Sequence, residues 1–425
     1  MIFALKKSDD TFITLEYAMN AKSLFFSSSR EITGGKVLLA GAVSAWCCGV
    51  LYIWSVFSLP LEQLYAWDRA DSSLVFTLMV TFFALGMGTG GFLLRHTGPR
   101  LTGFAGACCL GMGLFAASQT DSYLLFCLCY GVVGGYGAGL ANIVPLTVCL
   151  RWYSGRAGLV SGTLTGCIAL GTLMLSGIAE YLIRSWGVLT ALTILGLSLF
   201  VLCCAAVSFL NYPPDYRDDV VEDAGGPGVP LPVMIRSRDF WYLWMWAFCI
   251  QLGGLMVVGH IVPYAIEQHI SREAAIYAMG TYAVLNGTGR LLFGAMLDKF
   301  NHHVSMQLSS ALMAAGLCLL LFLPGVFGTV GLLFSTMLIA LAFGGTIPQL
   351  NIMTMRMFGP RYMGENIGFT ATGLMAGAIL GPWLGAQARV MTGSYHVPMC
   401  LGIIMALVAA FFAVLLRHKT SAHHS

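Results

Sequence analysis

The chain has 425 residues, of which 57% are apolar and 10% charged, with a formal net charge of +3. Soluble domains carry about 25% charged residues, so a water-soluble globule of this length, with the charged surfaces its domains would need, is excluded. The 22 Lys and Arg are scattered and form no basic patch with interleaved aromatics, which sets nucleic acid aside as a partner.

Residues 1–36 mix Lys6, Lys7, Asp9, Asp10, Glu16, Lys22, Arg30 and Glu31 with short apolar pieces, and lack the apolar core of a cleaved export signal. A cytoplasmic tail is expected there, with Met19 as a second candidate start. Apolar spans follow at 37–59, 73–94, 101–118, 122–149, 158–183 and 187–211, and then at 240–265, 273–297, 304–323, 328–354, 364–388 and 394–416. Each can cross a hydrocarbon core of about 30 Å as a helix. The runs are continuously apolar and do not alternate, which predicts helices rather than barrel strands.

The expected fold is therefore an all-α membrane protein with twelve transmembrane helices: a six-helix bundle over 37–211, a cytoplasmic linker over 212–239, a second bundle over 240–416 and a cytoplasmic tail over 417–425. The linker carries Pro213, Pro214, Pro227, Pro230 and Pro232 beside an acidic stretch from Asp215 to Asp223. Of the 22 cations, only Arg69, Arg184, Arg272 and Arg389 fall in the outer segments, and Arg290 lies within a span. The bias of the rest puts both termini in the cytoplasm, with the inner cell membrane as the expected location.

The 13 cysteines sit in apolar segments, often as neighbours, and no C-x-x-C pair occurs. They read as buried small hydrophobes, so no metal or other cofactor is expected.

Gly91-Phe-Leu-Leu-Arg-His-Thr-Gly-Pro-Arg100 follows the second span and Gly294-Ala-Met-Leu-Asp-Lys-Phe-Asn-His-His303 the eighth, an offset of 203. Arg151-Trp-Tyr-Ser-Gly-Arg156 and Arg356-Met-Phe-Gly-Pro-Arg361 follow the fourth and tenth spans at an offset of 205. Two copies of one unit explain both matches, a plan known for transporters.

These loops resemble those of the major facilitator superfamily, whose Gly-x-x-x-Asp-Arg/Lys-x-Gly-Arg-like motif follows helices two and eight. The first copy keeps Gly91, Gly98 and Arg100 but has Arg95 for the acid; the second keeps Gly294, Asp298 and Lys299 but has Asn301 for the later glycine. Within that superfamily "GVLYIWSVFSLPL", "RWYSGRAGLVSG" and "NGTGRLLFGAMLDK" resemble the oxalate/formate antiporter family, which is related to monocarboxylate transporters. The resemblance implies two pseudo-symmetric halves and gating contacts at the motif loops.

Arg290 lies nine residues before Lys299, about 13 Å from the inner boundary and close to the midplane. An arginine at that depth needs a wet cavity or a partner. It either bonds backbone carbonyls in a structural role or offers its planar fork to a carboxylate. Asn286 lies one turn away on the same face. In the family resembled, an arginine at this place binds the carboxylate substrate, and a helix-eleven lysine adds a second cation. Here the matching stretch has Thr372, at about the same depth as Arg290, so one formal charge and a monoanion are expected.

Asn142, Gln251 and Gln349 lie at similar depth, either as cavity lining or as interhelical hydrogen-bonding groups. The resemblance adds Tyr52 and Tyr136 as residues that close the cavity around a small ligand. Glu180, about 33 Å along its helix, and His260, about 30 Å along its own, are too far out to supply a midplane acid or base. Glycines in the fourth and eleventh spans, such as Gly137, Gly139, Gly373 and Gly377, permit close contacts that can slide.

The expected function is secondary transport of a small organic carboxylate, a monocarboxylate for preference, by alternating access with exchange or a substrate-borne proton. The bilayer is its one evident macroscopic partner, and no obligatory protein partner is evident. An exporter of drugs or amphiphiles, served by 22 adaptable methionines, and a polytopic receptor are the alternatives. An enzyme is not expected, because neither G-x-S-x-G nor H-E-x-x-H occurs.

Overall fold

The computed structural model describes residues 33–214, 228–300 and 302–420. The expectations for residues 1–32, including the Met19 start, and for the acidic stretch of the linker lie outside the described residues.

The described chain is helical throughout, as a bilayer demands of backbone groups that water cannot reach. Helix α1 (Gly34–Cys47) runs into a 3-10 turn at Cys48–Tyr52 and then α2 (Trp54–Tyr65). Next come α3 (Arg69–Ala117), the short α4 (Tyr123–Phe126), a π-helical stretch at Cys127–Gly134, and α5 (Gly135–Trp152). Helices α6 (Ala157–Trp186) and α7 (Val188–Val207) complete the N-terminal part. After the linker come α8 (Leu231–Met234), α9 (Arg238–Val258), α10 (Ile261–Glu267), α11 (Arg272–Lys299), α12 (His302–Gly344), α13 (Thr346–Phe358), α14 (Met363–Thr392) and α15 (His396–Thr420).

Among the described residues, nine helical stretches are long and apolar enough to cross a membrane, where the sequence predicts twelve spans. Two features of the chain bear on the difference. First, α3 and α12 are each a pair of arms joined without a loop, because a glycine in a conformation closed to other residues turns the chain. Gly98 has φ 79° and ψ 171°, and Gly328 has φ 54° and ψ −128°. In a straight helix Gly90 and Gly106 would lie about 24 Å apart, yet a Cβ on either would touch Leu140 of α5. Likewise a Cβ on Gly316 would touch Ile339, which a straight α12 would place about 35 Å away. Second, α11 is not among the nine, and it carries Asn286 and Arg290 among small and polar residues in the middle of its length, which lowers its hydropathy.

Packing follows the small residues. Gly135, Gly137 and Gly139 of α5 let α3 approach at Met79, Cys109 and Gly86, while Gly373, Gly377 and Gly381 of α14 admit α9 at Trp244, Phe248 and Leu252. These glycines therefore pack helices from the same end of the sequence against one another. The described linker ends are pinned: Trp152 Nε1 donates to the Asn211 carbonyl at 2.7 Å, and the Val229 N–H donates to that of Phe358 at 2.8 Å.

Candidate functional site

Helices α1–α7 and α9–α15 meet mainly where α3 packs on α14 and α6 packs on α11 and α13. Four glycines allow it. A Cβ on Gly91 would strike the backbone of Gly364 and Glu365, and one on Gly364 would return to Gly91. A Cβ on Gly158 would strike the Gly294 carbonyl, and one on Gly294 that of Gly158. The two contacts are copies of each other, offset by 203 residues on one side and 206 on the other.

The charges beside them are not copies. Asp298 accepts from the N–H groups of Gly158 at 2.7 Å and Leu159 at 2.8 Å, a carboxylate on the positive end of α6. Arg95, the residue in the same place of the first copy, instead pairs with the buried Glu365 at 3.3 Å, at the start of α14. The acid absent from the first loop is thus supplied across the interface. Glu365 is missed by motif matching because it lies outside the loop that carries the motif. Gly98 forms the turn next to this interface, Arg100 is half-buried and Lys299 is exposed. We call this end of the molecule the basic end.

Above these contacts a cavity of about 50 Å³ opens between the two sets of helices. Cys48, Leu51 and Tyr52 reach it from the 3-10 turn that interrupts the first span, with Phe83 and Met87 from α3 and Asn142 and Leu146 from α5. Thr165 and Ile168 of α6 complete one wall. Opposite stand Arg290 of α11, Ile347 and Asn351 of α13, and Ala371, Leu374 and Met375 of α14. Among the described residues Arg290 is the one charged side chain in this lining, which includes no carboxylate.

Arg290 is held on two sides. Its Nε donates to Asn286 Oδ1 at 3.3 Å, and Nη1 donates to the Thr165 carbonyl across the interface. The side chain is thus bonded to a backbone carbonyl and also lines the cavity. Two of the five guanidinium N–H groups are used, leaving three for a ligand.

The other expected lining residues divide. Tyr52 lines the cavity and is 48% exposed, and Asn142 lines it with Nδ2 donating to Met87 Sδ at 3.6 Å. Asn286 stands behind Arg290 and does not line the cavity. Thr372 is turned away: it accepts from Trp244 Nε1 at 3.0 Å, and its place on the wall is taken by Ala371, Leu374 and Met375. Tyr136 also stands outside the lining, its hydroxyl accepting from Thr89 at 3.0 Å. Gln349 is fully buried, bonded to Ser305 at 3.0 Å and Ser309 at 2.9 Å, and serves helix packing. Gln251 is likewise outside the lining, beside Gly377.

Thr165 is one polar lining residue that sequence reading passed over, and Asn351 is another. It lies two residues from Gln349, about 200° around the helix, so only one of the pair can face the cavity. Its Nδ2 donates to the buried Ser161 Oγ at 3.1 Å across the interface. His260 packs against Tyr395 and the Pro382 carbonyl, and Glu180 pairs with Arg184 on the surface. Among the described residues no group of three His, Cys, Asp or Glu could hold a metal ion.

Comparison with known proteins agrees with this architecture. The family model of the Major Facilitator Superfamily matches residues 37–382 and 267–425. An uncharacterized transporter of that type, YhjX of Escherichia coli, is 23% identical over 355 residues, 83% of this chain and 87% of its own. The oxalate:formate antiporter of Oxalobacter formigenes is 24% identical over 363 residues, 84% of this chain and 85% of its own. Among solved structures, the superfamily transporter FucP in its outward conformation superimposes with a TM-score of 0.67 at 14% identity, covering 90% of this chain and 98% of that one.

Proposed function

The chain belongs to the Major Facilitator Superfamily, and from that premise we propose that it exchanges small organic monocarboxylates across a membrane by alternating access. Membership makes it a multi-pass secondary transporter and not an enzyme. The observation that carries the finer reading is Arg290, with three N–H groups left for a ligand, facing a mostly apolar cavity with no carboxylate in its lining.

We count twelve crossings, since α3 and α12 each cross twice and α11 crosses with its polar cavity face. On this reading α1–α7 and α9–α15 are the two six-helix halves of the duplicated unit, and the basic end faces the cytoplasm of a cell whose inner membrane holds the protein. On the same reading the paired glycine contacts close that end, and the cavity that Tyr52 lines opens to the outer side.

A carboxylate entering from outside meets the free face of the guanidinium, where charge-assisted, two-pronged bonding suits its geometry. Asn286 holds Nε so that the fork keeps its aim. The likeness to the oxalate:formate antiporter supports a carboxylate, but a dianion would leave one charge desolvated without a formal partner. A cationic drug meets the wrong sign.

A ligand that binds only the folded state raises stability by about 2.7 kcal/mol at 100 times its Kd. Purified protein should therefore melt at a higher temperature in millimolar short monocarboxylates, less so in oxalate, and not at all in tetraethylammonium. Stabilisation by the organic cation and not by any carboxylate would overturn the reading.

A further inference from the structure

Where the linker re-enters the C-terminal helices, the basic end carries a surface of its own. We infer that the segment from Leu231 to Trp241 docks the headgroups of anionic phospholipids in the cytoplasmic leaflet, with Arg236 and Arg238 holding their phosphates. The inference takes from the reading above only the placement of the basic end at that leaflet, and makes no use of the substrate.

The segment has one face in the protein and one outside it. Met234 is fully buried and Phe240 nearly so, which fixes α8 and the start of α9 against the bundle. Between them Ser237 caps α9, its Oγ accepting from the Phe240 N–H at 3.2 Å and donating to the Met234 carbonyl at 2.7 Å. On the outer face Val233 is 56% and Trp241 50% exposed. Trp241 Nε1 donates to the Ile235 carbonyl at 3.0 Å, so the indole is held in place and offers apolar surface alone. It lies three residues beyond Arg238, about 4.5 Å deeper along α9, where aromatic residues meet the headgroup boundary.

Arg236 and Arg238 lie between these two apolar groups, and both are exposed. Among the described residues neither makes an ion pair, whereas Arg95 pairs with Glu365 and Arg151 stands over the Tyr212 ring at 4.4 Å. Asp239, half-buried, is the one acid of the segment, against two arginines. Guanidinium groups beside exposed apolar surface suit a lipid phosphate, which takes charge-assisted bonds on its oxygens while its glycerol and chains cover Val233 and Trp241. A zwitterionic headgroup brings its own cation to the same place, and an anionic one does not. The segment is also tied inward: the Val229 N–H donates to the Phe358 carbonyl at 2.8 Å, and the Val229 carbonyl accepts from Asn366 Nδ2 at 3.0 Å.

The test is the melting temperature of the full-length protein in phosphatidylcholine nanodiscs as phosphatidylglycerol is raised in steps. The temperature should rise and then level off. Each arginine near an anionic surface favours it about fivefold, so the fraction of phosphatidylglycerol giving half the rise should increase about fivefold in Arg236→Gln or in Arg238→Gln. The double variant should show no rise, and, being changed only at exposed sites, should fold. Arg156→Gln, which removes an exposed cation from the turn between α5 and α6, should stay within about twofold of wild type. Amide exchange over residues 229–237 should slow with phosphatidylglycerol in the wild type and not in the double variant. A wild type indifferent to phosphatidylglycerol, or a double variant that responds as the wild type does, overturns the inference. So does an equal rise from inorganic phosphate in phosphatidylcholine alone, which would make the ligand a free anion. A melting temperature that ignores the lipid but falls with salt, in the wild type and not in the double variant, would assign the arginines to the linker acids between Asp215 and Asp223. No substrate is added, so each of these outcomes leaves the carboxylate reading where it stands.

Discussion

Arg290→Lys is expected to insert and fold as the wild type does and to lose roughly 10- to 100-fold in transport efficiency. The substitution keeps one positive charge on a long side chain, so insertion into the bilayer is little changed. What it removes is the planar fork that bonds Asn286 and the Thr165 carbonyl and still has three N–H groups for a ligand. An ammonium that retains the two protein bonds has one donor left. A hydrogen bond to a charged group contributes about 1.5 to 3 kcal/mol, which sets the range given. Uptake kinetics in proteoliposomes decide the matter, and wild-type kinetics in this variant would make Arg290 a structural residue.

The second large effect is expected at the basic end. A valine at Gly91 would place its Cβ inside the backbone of Gly364 and Glu365, where no side-chain rotation relieves the overlap. The two halves could then close there only by separating elsewhere, so transport should fall by about tenfold or more while the protein still reaches the membrane. Gly294→Val should do the same through Gly158, because the contacts are copies. Gly166→Val, placed where a Cβ meets nothing, is the control and should stay within about twofold of wild type. Undiminished transport in both the Gly91 and Gly294 variants would mean that the basic end does not need to close.

What was legible in the sequence follows from how each feature is encoded. Crossing segments and their end charges are written in composition, and a single glycine such as Gly98 can join two of them because it alone tolerates φ 79° without strain. Arg290 was legible because an isolated cation in an apolar run has so few uses. The amides were harder, since depth along a helix says nothing about the direction a side chain faces. Gln349, Gln251 and Asn351 have similar depth, and only Asn351 reaches the cavity. Thr372 illustrates the same limit: a rotation of one residue puts Ala371 on the wall and hands Thr372 to Trp244. The Arg95 and Glu365 pair was hidden for another reason, because the motif's acid had moved across the interface to a distant part of the chain.

Exchange, rather than net flux, is the part of the account with the most direct physical test. With Arg290 the one charge in the lining, the empty carrier holds an uncompensated cation, and a monoanion neutralises it. Moving such a charge through a potential of 100 mV could cost up to about 2.3 kcal/mol if it crossed the whole field, and less for a site near the midplane. Loaded carriers should therefore turn over faster than empty ones. The measurement is the initial rate of labelled lactate uptake at fixed pH into proteoliposomes preloaded with unlabelled lactate, compared with vesicles holding buffer alone. The account predicts several-fold faster uptake into the preloaded vesicles, whereas equal rates, or uptake driven chiefly by a pH gradient imposed on empty vesicles, would contradict it.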